Sequence, residues 1–244
     1  MNDSTTAPAA LDPQLVTRLR GISTATITTI LFKKGLRNCW LRGAMPLASG
    51  QGRQVGRAFT MRFVPAREDL SSPAAWSSPR STRIAVEEMP AGSVVVVDAM
   101  GVTDAGILGD ILCARMRYRG VAALVTDGVV RDIAGVQSTG LPVWARGVAA
   151  PAAVNSLTFV GWQDPIACGG VAVFPGDIMV ADGDGVVLIP DAYLPEVLAY
   201  GDGQEALEAW ILQEVKAGAP LTGMYPPSQE NLDRYERARD SHKS

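Results

Sequence analysis

Helix and strand patterns alternate strictly through the middle of this chain, and no other feature of the sequence limits its fold as much. A helix is expected near residues 81–88, a strand at 93–97, a helix near 106–118, a strand at 121–126, a helix near 129–138 and a strand at 142–145. The strands are continuous apolar runs, such as Val94-Val95-Val96-Val97 and Val121-Ala122-Ala123-Leu124-Val125, rather than alternating ones. A strand with water on one face alternates, whereas one covered on both faces does not. Helices returning between such covered strands give a parallel sheet with right-handed crossovers.

The flanking regions are read more coarsely. Residues 11–20 and 23–34 form two helices separated by Gly21, the second opened by the caps Ser23 and Thr24. Residues 54–64 alternate like a strand. Residues 65–82 carry three prolines and a serine cluster, which predicts a long irregular loop of the kind that is functional or disordered in compact domains. After Gly147, short strands around 157–162, 171–174, 178–180 and 186–189 are punctuated by Gly and Pro, so a β-rich second half is expected as a second sheet layer. A helix over 191–216 and a Pro-rich, then charged, arm finish the chain. The domain is placed at 1–217 and the arm at 218–244.

Two strand ends in this parallel scheme face the same way. The first is followed by Asp98, Gly101, Gly106, Gly109 and Asp110, and the second by Asp127, Arg131 and Asp132. Ligands of open α/β sheets bind outside the carboxyl ends of the strands. Glycines there let a small anion approach the backbone, and the first N–H groups of the next helix are free to hold it. Asp127 has a second reading, as a cap for the following helix with Arg131 and Asp132 on a solvated face. Asp182, Asp184 and Gly185 resemble a metal loop, but Asp-Gly-Asp-Gly between strands is more often a tight hairpin turn. Arg115, Arg117 and Arg119 suit a helix C-terminus. Glu205 and Glu208 fit either a carboxylate lent to a neighbouring subunit or a solvated helix face. Arg62 and Arg67 fit either a second substrate carboxylate or a strand's polar side.

Composition removes whole classes of chemistry. The one histidine, His242, lies in the charged tail, so catalysis by a positioned imidazole and most transition-metal sites are not expected. Cys39, Cys113 and Cys168 are far apart and odd in number, and read as buried thiols in a reducing compartment. Of 22 basic residues only Lys33, Lys34, Lys216 and Lys243 are lysines, and none is placed for a Schiff base. Any bound metal would be held by carboxylate and backbone oxygens, which favours Mg²⁺ or Mn²⁺. A net charge of −3 gives no nucleic-acid footprint. Hydrophobic residues at 47%, charged residues at 19% and 25 glycines suit a compact protein partly covered by other subunits. No signal peptide and no run of about 20 apolar residues is read, so a cytoplasmic protein away from the membrane is expected.

The ordered succession Gly109-Asp110-Ile111-Leu112, Arg119-Gly120, Thr126-Asp127-Gly128-Val129-Val130-Arg131-Asp132, Leu141-Pro142-Val143, Cys168-Gly169-Gly170-Val171, Pro175-Gly176-Asp177 and Asp184-Gly185-Val186-Val187-Leu188-Ile189-Pro190 resembles the RraA-like family. That family includes metal-dependent 4-hydroxy-4-methyl-2-oxoglutarate aldolases and regulators of ribonuclease activity. The resemblance covers roughly residues 11–216. It implies an α/β fold of the swivelling β/β/α type, with a parallel βαβ core, assembled as a homotrimer or a hexamer (dimer of trimers) with sites between subunits.

By the same resemblance Asp132 would ligate Mg²⁺ or Mn²⁺, Asp110 would hold a metal-bound water, and Arg131 would contact the keto oxygen of a small 2-oxo acid. Amides of Gly109, Asp110, Ile111 and Leu112 would receive its carboxylate. The implied reaction is class II aldol cleavage of a 4-hydroxy-2-oxo acid to pyruvate through a metal-bound enolate, with oxaloacetate decarboxylation as a side activity. The regulator branch keeps the arginine and lacks the following aspartate, so Asp132 favours the aldolase side. Thr28-Thr29 stand where the aldolases carry Ser-Asp, and the loop 65–82 together with Tyr225-Pro226-Pro227 resembles a longer subgroup. The alternatives are a metal-assisted dehydratase or decarboxylase acting on a sugar-derived acid, and a non-enzymatic interaction protein like the ribonuclease regulator.

Overall fold

The structure, a computed structural model, describes residues 10–241; His242 and Lys243 therefore lie outside the described residues. Two helices lead, α1 (Pro13–Arg20) and α2 (Thr24–Lys33). Asp12 caps α1 on the amides of Gln14 and Leu15, and Ser23 caps α2 on that of Thr26, because a short side-chain oxygen satisfies N–H groups the helix leaves free. The strands are β1 (Met45–Pro46), β2 (Gln54–Pro65), β3 (Val94–Asp98), β4 (Ala123–Thr126), β5 (Val129–Val130), β6 (Val143–Ala145), β7 (Gly147–Val148), β8 (Leu157–Trp162), β9 (Ile166–Cys168), β10 (Val171–Val173), β11 (Ile178–Asp182) and β12 (Gly185–Ile189). Between and after them come α3 (Thr82–Glu88), α4 (Asp110–Tyr118), α5 (Ile133–Ser138), α6 (Leu194–Lys216) and α7 (Gln229–Ser241).

The main sheet has eight strands in the order β1-β6-β4-β3-β2-β11-β12, with β8 also on β2. β2, β3, β4 and β6 run parallel, and β3 and β4 are buried throughout, which explains their unbroken apolar sequences. The 12 residues of β2 serve both halves of the molecule: its start pairs antiparallel with β11 and its end with β8. The β-rich half therefore extends the main sheet rather than forming the expected second layer. Only β9–β10 and β5–β7 make small sheets of their own.

Side chains from both sheet faces fill the interior. Phe59, Met61, Phe63, Val95 and Val97 meet α3, α4 and α5 on one face. Ala58, Val94, Val96 and Trp144 meet the β9–β10 hairpin on the other. A third cluster lies beneath α1, α2 and α6. Full burial of one large apolar side chain contributes roughly 1.5–3 kcal/mol.

Several elements differ from expectation. The helix expected from residue 129 starts only at Ile133, because Val129–Val130 pair as β5, and the helix expected from residue 106 starts at Asp110. A 3₁₀ turn, Asp191–Tyr193, precedes α6, and the arm contains α7, which no apolar stripe announced. α7 lies against α6 through Trp210 and Tyr235, with ring centroids 5.6 Å apart, and through Arg234 Nη2 to Glu214 at 2.6 Å. The loop 65–82 follows β8: the Ala66 amide donates to Ser156 O at 2.9 Å and the Arg67 amide to Thr158 Oγ1 at 3.1 Å. Among the described residues no helix is long and apolar enough to cross a membrane.

Candidate functional site

The strand ends divide into structural and open carboxylates. Asp127 is buried, and its two oxygens accept the Ala99 amide at 2.9 Å and the Gly169 amide at 3.1 Å. It neither caps α5 nor faces a crevice; it fastens the end of β3 to the β9–β10 turn. Burial pushes its carboxyl above the usual range, against the two amides and Arg146. Asp98 makes a similar tie to Met100 (3.0 Å) and Ala167 (3.2 Å). Neither of these strand-end aspartates is free for a ligand.

The open groups come a few residues later. The segment before α4 is laid alongside β5: the Ile107 amide donates to Val129 O at 2.9 Å, and the Arg131 amide to Leu108 O at 3.0 Å. This pairing brings Gly109 and Asp110, at the start of α4, against Arg131 and Asp132, at the start of α5. Asp132 has φ 56° and ψ 46°, a left-handed conformation that aspartate tolerates better than most residues. Its carbonyl accepts the Val136 amide at 2.9 Å and so opens α5. Its side chain caps nothing and instead accepts Arg131 Nε at 3.0 Å, with 37% and 44% of the two side chains exposed.

Glycines make the close approach feasible. A Cβ on Gly109 would lie 2.6 Å from Asp132 Oδ2, and one on Gly106 would lie 2.7 Å from Arg131 Cβ. A Cβ on Gly135, inside α5, would strike Asp110. Gly106 was among the strand-end glycines read from the sequence, whereas Gly135 was not singled out; its available signal was a glycine inside a short helix, where it is costly and serves no turn. Asp110 Oδ1 also accepts the Ile111 amide at 2.7 Å. One of the four amides expected to receive a substrate carboxylate is thus already engaged. The Ile111 side chain is 80% exposed, while Leu112 packs against the core.

No group of three or more His, Cys, Asp or Glu is gathered among the described residues. Asp132 and Asp110 are therefore the carboxylates available to a metal here. That donor set fits Mg²⁺, which takes one or two carboxylates and keeps several waters, and does not suit a metal needing several nitrogen or sulfur ligands.

The remaining candidates lie elsewhere. Asp182 pairs with Gly185 in the β11–β12 hairpin and accepts Thr24 Oγ1 at 2.6 Å and Arg53 Nε at 3.2 Å, so the Asp-Gly-Asp-Gly run is a turn. Glu205 accepts the Ser23 amide at 2.8 Å and Glu208 accepts Gln204 Nε2 at 2.7 Å, both within the chain. Thr28 and Thr29 return their hydroxyls to Ala25 O. Arg67 pairs with Asp69, and Arg115 with Glu87, each at 2.7 Å.

The molecule is thus an α/β protein whose parallel strands lead to an Arg-Asp pair packed against a glycine-led helix start. The sequence pattern of the RraA-like family, described as Aldolase/RraA, matches residues 24–188, and the chain belongs to that family. Streptomyces coelicolor RraAS2, described as an unusual member of the RNase ES inhibitor RraA protein family, is similar in structure with a TM-score of 0.74 at 34% identity, over 85% of this chain and 98% of that one. An uncharacterized Pseudomonas syringae protein gives 0.75 at 27% identity, over 89% and 100%. A Halalkalibacterium halodurans protein provisionally named 4-hydroxy-4-methyl-2-oxoglutarate aldolase is 36% identical over 123 residues, which are 50% of this chain and 58% of the relative. Legionella pneumophila protein DlpA is 28% identical over 209 residues, 86% of this chain and 33% of its own. The chain therefore spans only a third of DlpA and 58% of the H. halodurans protein.

Proposed function

We propose that this protein is a divalent-metal-dependent lyase that cleaves a 4-hydroxy-2-oxo acid to pyruvate in the manner of a class II aldolase. The observation that carries this reading is the Arg131–Asp132 pair held against Gly109 and Asp110, and the name of the H. halodurans relative supports it. Mg²⁺ or Mn²⁺, when bound, supplies Lewis-acid polarisation of the 2-oxo acid. Asp132 would hold the ion and Asp110 a water beside it.

The chain's own groups account for the remaining steps. Free N–H groups at the start of α4 bind the substrate carboxylate. Asp110, through its water, takes the proton of the 4-hydroxyl as the C3–C4 bond breaks, so C4 becomes a carbonyl and the bond's electron pair passes into a pyruvate enolate. Arg131 donates charge-assisted hydrogen bonds to the enolate oxygen, an effect worth about 3 to 4 kcal/mol for one well-placed donor. Returning the proton to C3 gives pyruvate. Oxaloacetate would lose CO₂ through the same enolate. The reading includes a homotrimer or a dimer of trimers; the exposed Ile111 and Tyr118, on the helix that carries Asp110, supply apolar surface for it.

The test is pyruvate release from 4-hydroxy-4-methyl-2-oxoglutarate and from oxaloacetate, coupled to lactate dehydrogenase, with Mg²⁺ and then with excess chelator. Metal-dependent release is expected, and full activity in Asp132→Ala would overturn the reading. The likeness to RraAS2 favours a second one, a ribonuclease-regulator-like interaction protein, which predicts no cleavage and no metal requirement.

A further inference from the structure

The loop 65–82 ends by returning an arginine to the sheet. Arg80 Nε donates to Val160 O at 2.7 Å, and a Cβ on Gly161 would lie 2.6 Å from Arg80 Nη2. Gly161 is the cross-strand partner of Arg62 on β2. The register shifts directly after this pair, but the two positions stand opposite one another. The Arg80 guanidinium therefore occupies the space that a side chain opposite Arg62 would fill, and the glycine is what admits it.

Neither of these two cations is held in an ion pair among the described residues, and both are exposed. Arg67, from the same loop, is spent on Asp69 at 2.7 Å. Asp98 stands beside Arg62 in the register of β3, but its oxygens accept the Met100 and Ala167 amides. Like charges placed together in a sheet oppose folding, and guanidinium groups left with free N–H donors are suited to a planar or tetrahedral oxyanion.

We propose that Arg62 and Arg80 form an anion site, separate from Arg131, that takes the carboxylate or phosphate group of a small ligand. The proposal does not depend on the lyase reading, since it concerns binding alone.

Calorimetric titration of the full chain with malonate and with inorganic phosphate, at fixed ionic strength and without divalent metal, tests it. Saturable binding of at least one of them is expected, weakened by about tenfold or more in Arg62→Gln and in Arg80→Gln and unchanged in Arg237→Gln, an exposed arginine on α7. The anion that binds more tightly identifies the ligand group. Both arginines are exposed, so the Gln variants should fold, with at most a small loss in Arg80→Gln from its hydrogen bond to Val160 O. Absence of saturable binding, binding untouched by both variants, or equal loss in Arg237→Gln would each overturn the proposal.

Discussion

Gly109 touches Asp132 so closely that any side chain at residue 109 would push the carboxylate aside: a Cβ there would lie 2.6 Å from its oxygen. Gly109→Ala should displace Asp132; alanine tolerates φ −124°, but residue 109 is the N-cap of α4, where alanine is poorer than glycine, so a loss of about 1 kcal/mol is expected as well. A misplacement of this size is expected to lower kcat/KM by about 100-fold with only a small fall in melting temperature. Steady-state kinetics beside a melting curve reads both, and activity within a few-fold of the parent would refute the packing argument.

Asp132 combines an unusual backbone with a charge, and two substitutions separate them. Asn tolerates the left-handed conformation, so Asp132→Asn should melt like the parent yet lose Mg²⁺ binding and cleavage. Asp132→Ala should lose both and also about 1 to 2 kcal/mol of stability for the left-handed backbone. Calorimetric Mg²⁺ titration with thermal melts distinguishes them; retained metal affinity in the Asn variant would remove Asp132 from the ligand set.

Arg131 presents a fork rather than a point charge. Arg131→Lys keeps the charge and should still lower kcat by about 100-fold, since two directed donors become one mobile ammonium. A rate unchanged in pre-steady-state assays would mean the guanidinium geometry is irrelevant to the chemical step.

Asp127 and Asp182 should give stability profiles of opposite slope. Burial raises Asp127, outweighing its amides. The folded chain then binds this proton more readily than the unfolded one, so the group's contribution is greatest at low pH and declines as pH rises through the interval just above the ordinary carboxylate range. Burial also acts to raise Asp182, but Thr24, the Asp184 amide and Arg53 together prevail and lower it from 3.8. Its contribution is full above that value and lost as pH falls below it. Melting temperature against pH, from about 3 to 7, should show a flatter acid limb in Asp182→Asn and a shallower decline towards neutral pH in Asp127→Asn. Identical curves would contradict both assignments.

The strands were legible because burial on both faces leaves an unbroken apolar trace, as in Val94-Val95-Val96-Val97. The hairpin at Asp182 was legible from its glycines. α7 was hidden because Gln229–Ser241 is polar nearly throughout and is held by Trp210 and Glu214, residues that nothing local marks. Asp127 misled because a carboxylate directly after a buried strand looks the same in sequence whether it meets a ligand or two backbone amides. The pairing that decides it, with Gly169, lies 42 residues away. Arg131 and Asp132 stood out by their chemistry, whereas Gly135 and Gly161 matter through the neighbours they admit, and a single sequence does not display neighbours.

The double use of β2 has a consequence for how the chain comes off the ribosome. Its second half meets β3 soon after synthesis, but the edge at Gln54–Arg57 waits for β11, whose Ile178 pairs with Arg57 more than a hundred residues later. Until then a nascent chain exposes an unpaired strand edge beside an already assembled parallel core, the situation in which chains most readily pair with one another. Folding is therefore gated by the arrival of the C-terminal third. A stalled or truncated chain ending before β11 would aggregate rather than persist as a smaller domain.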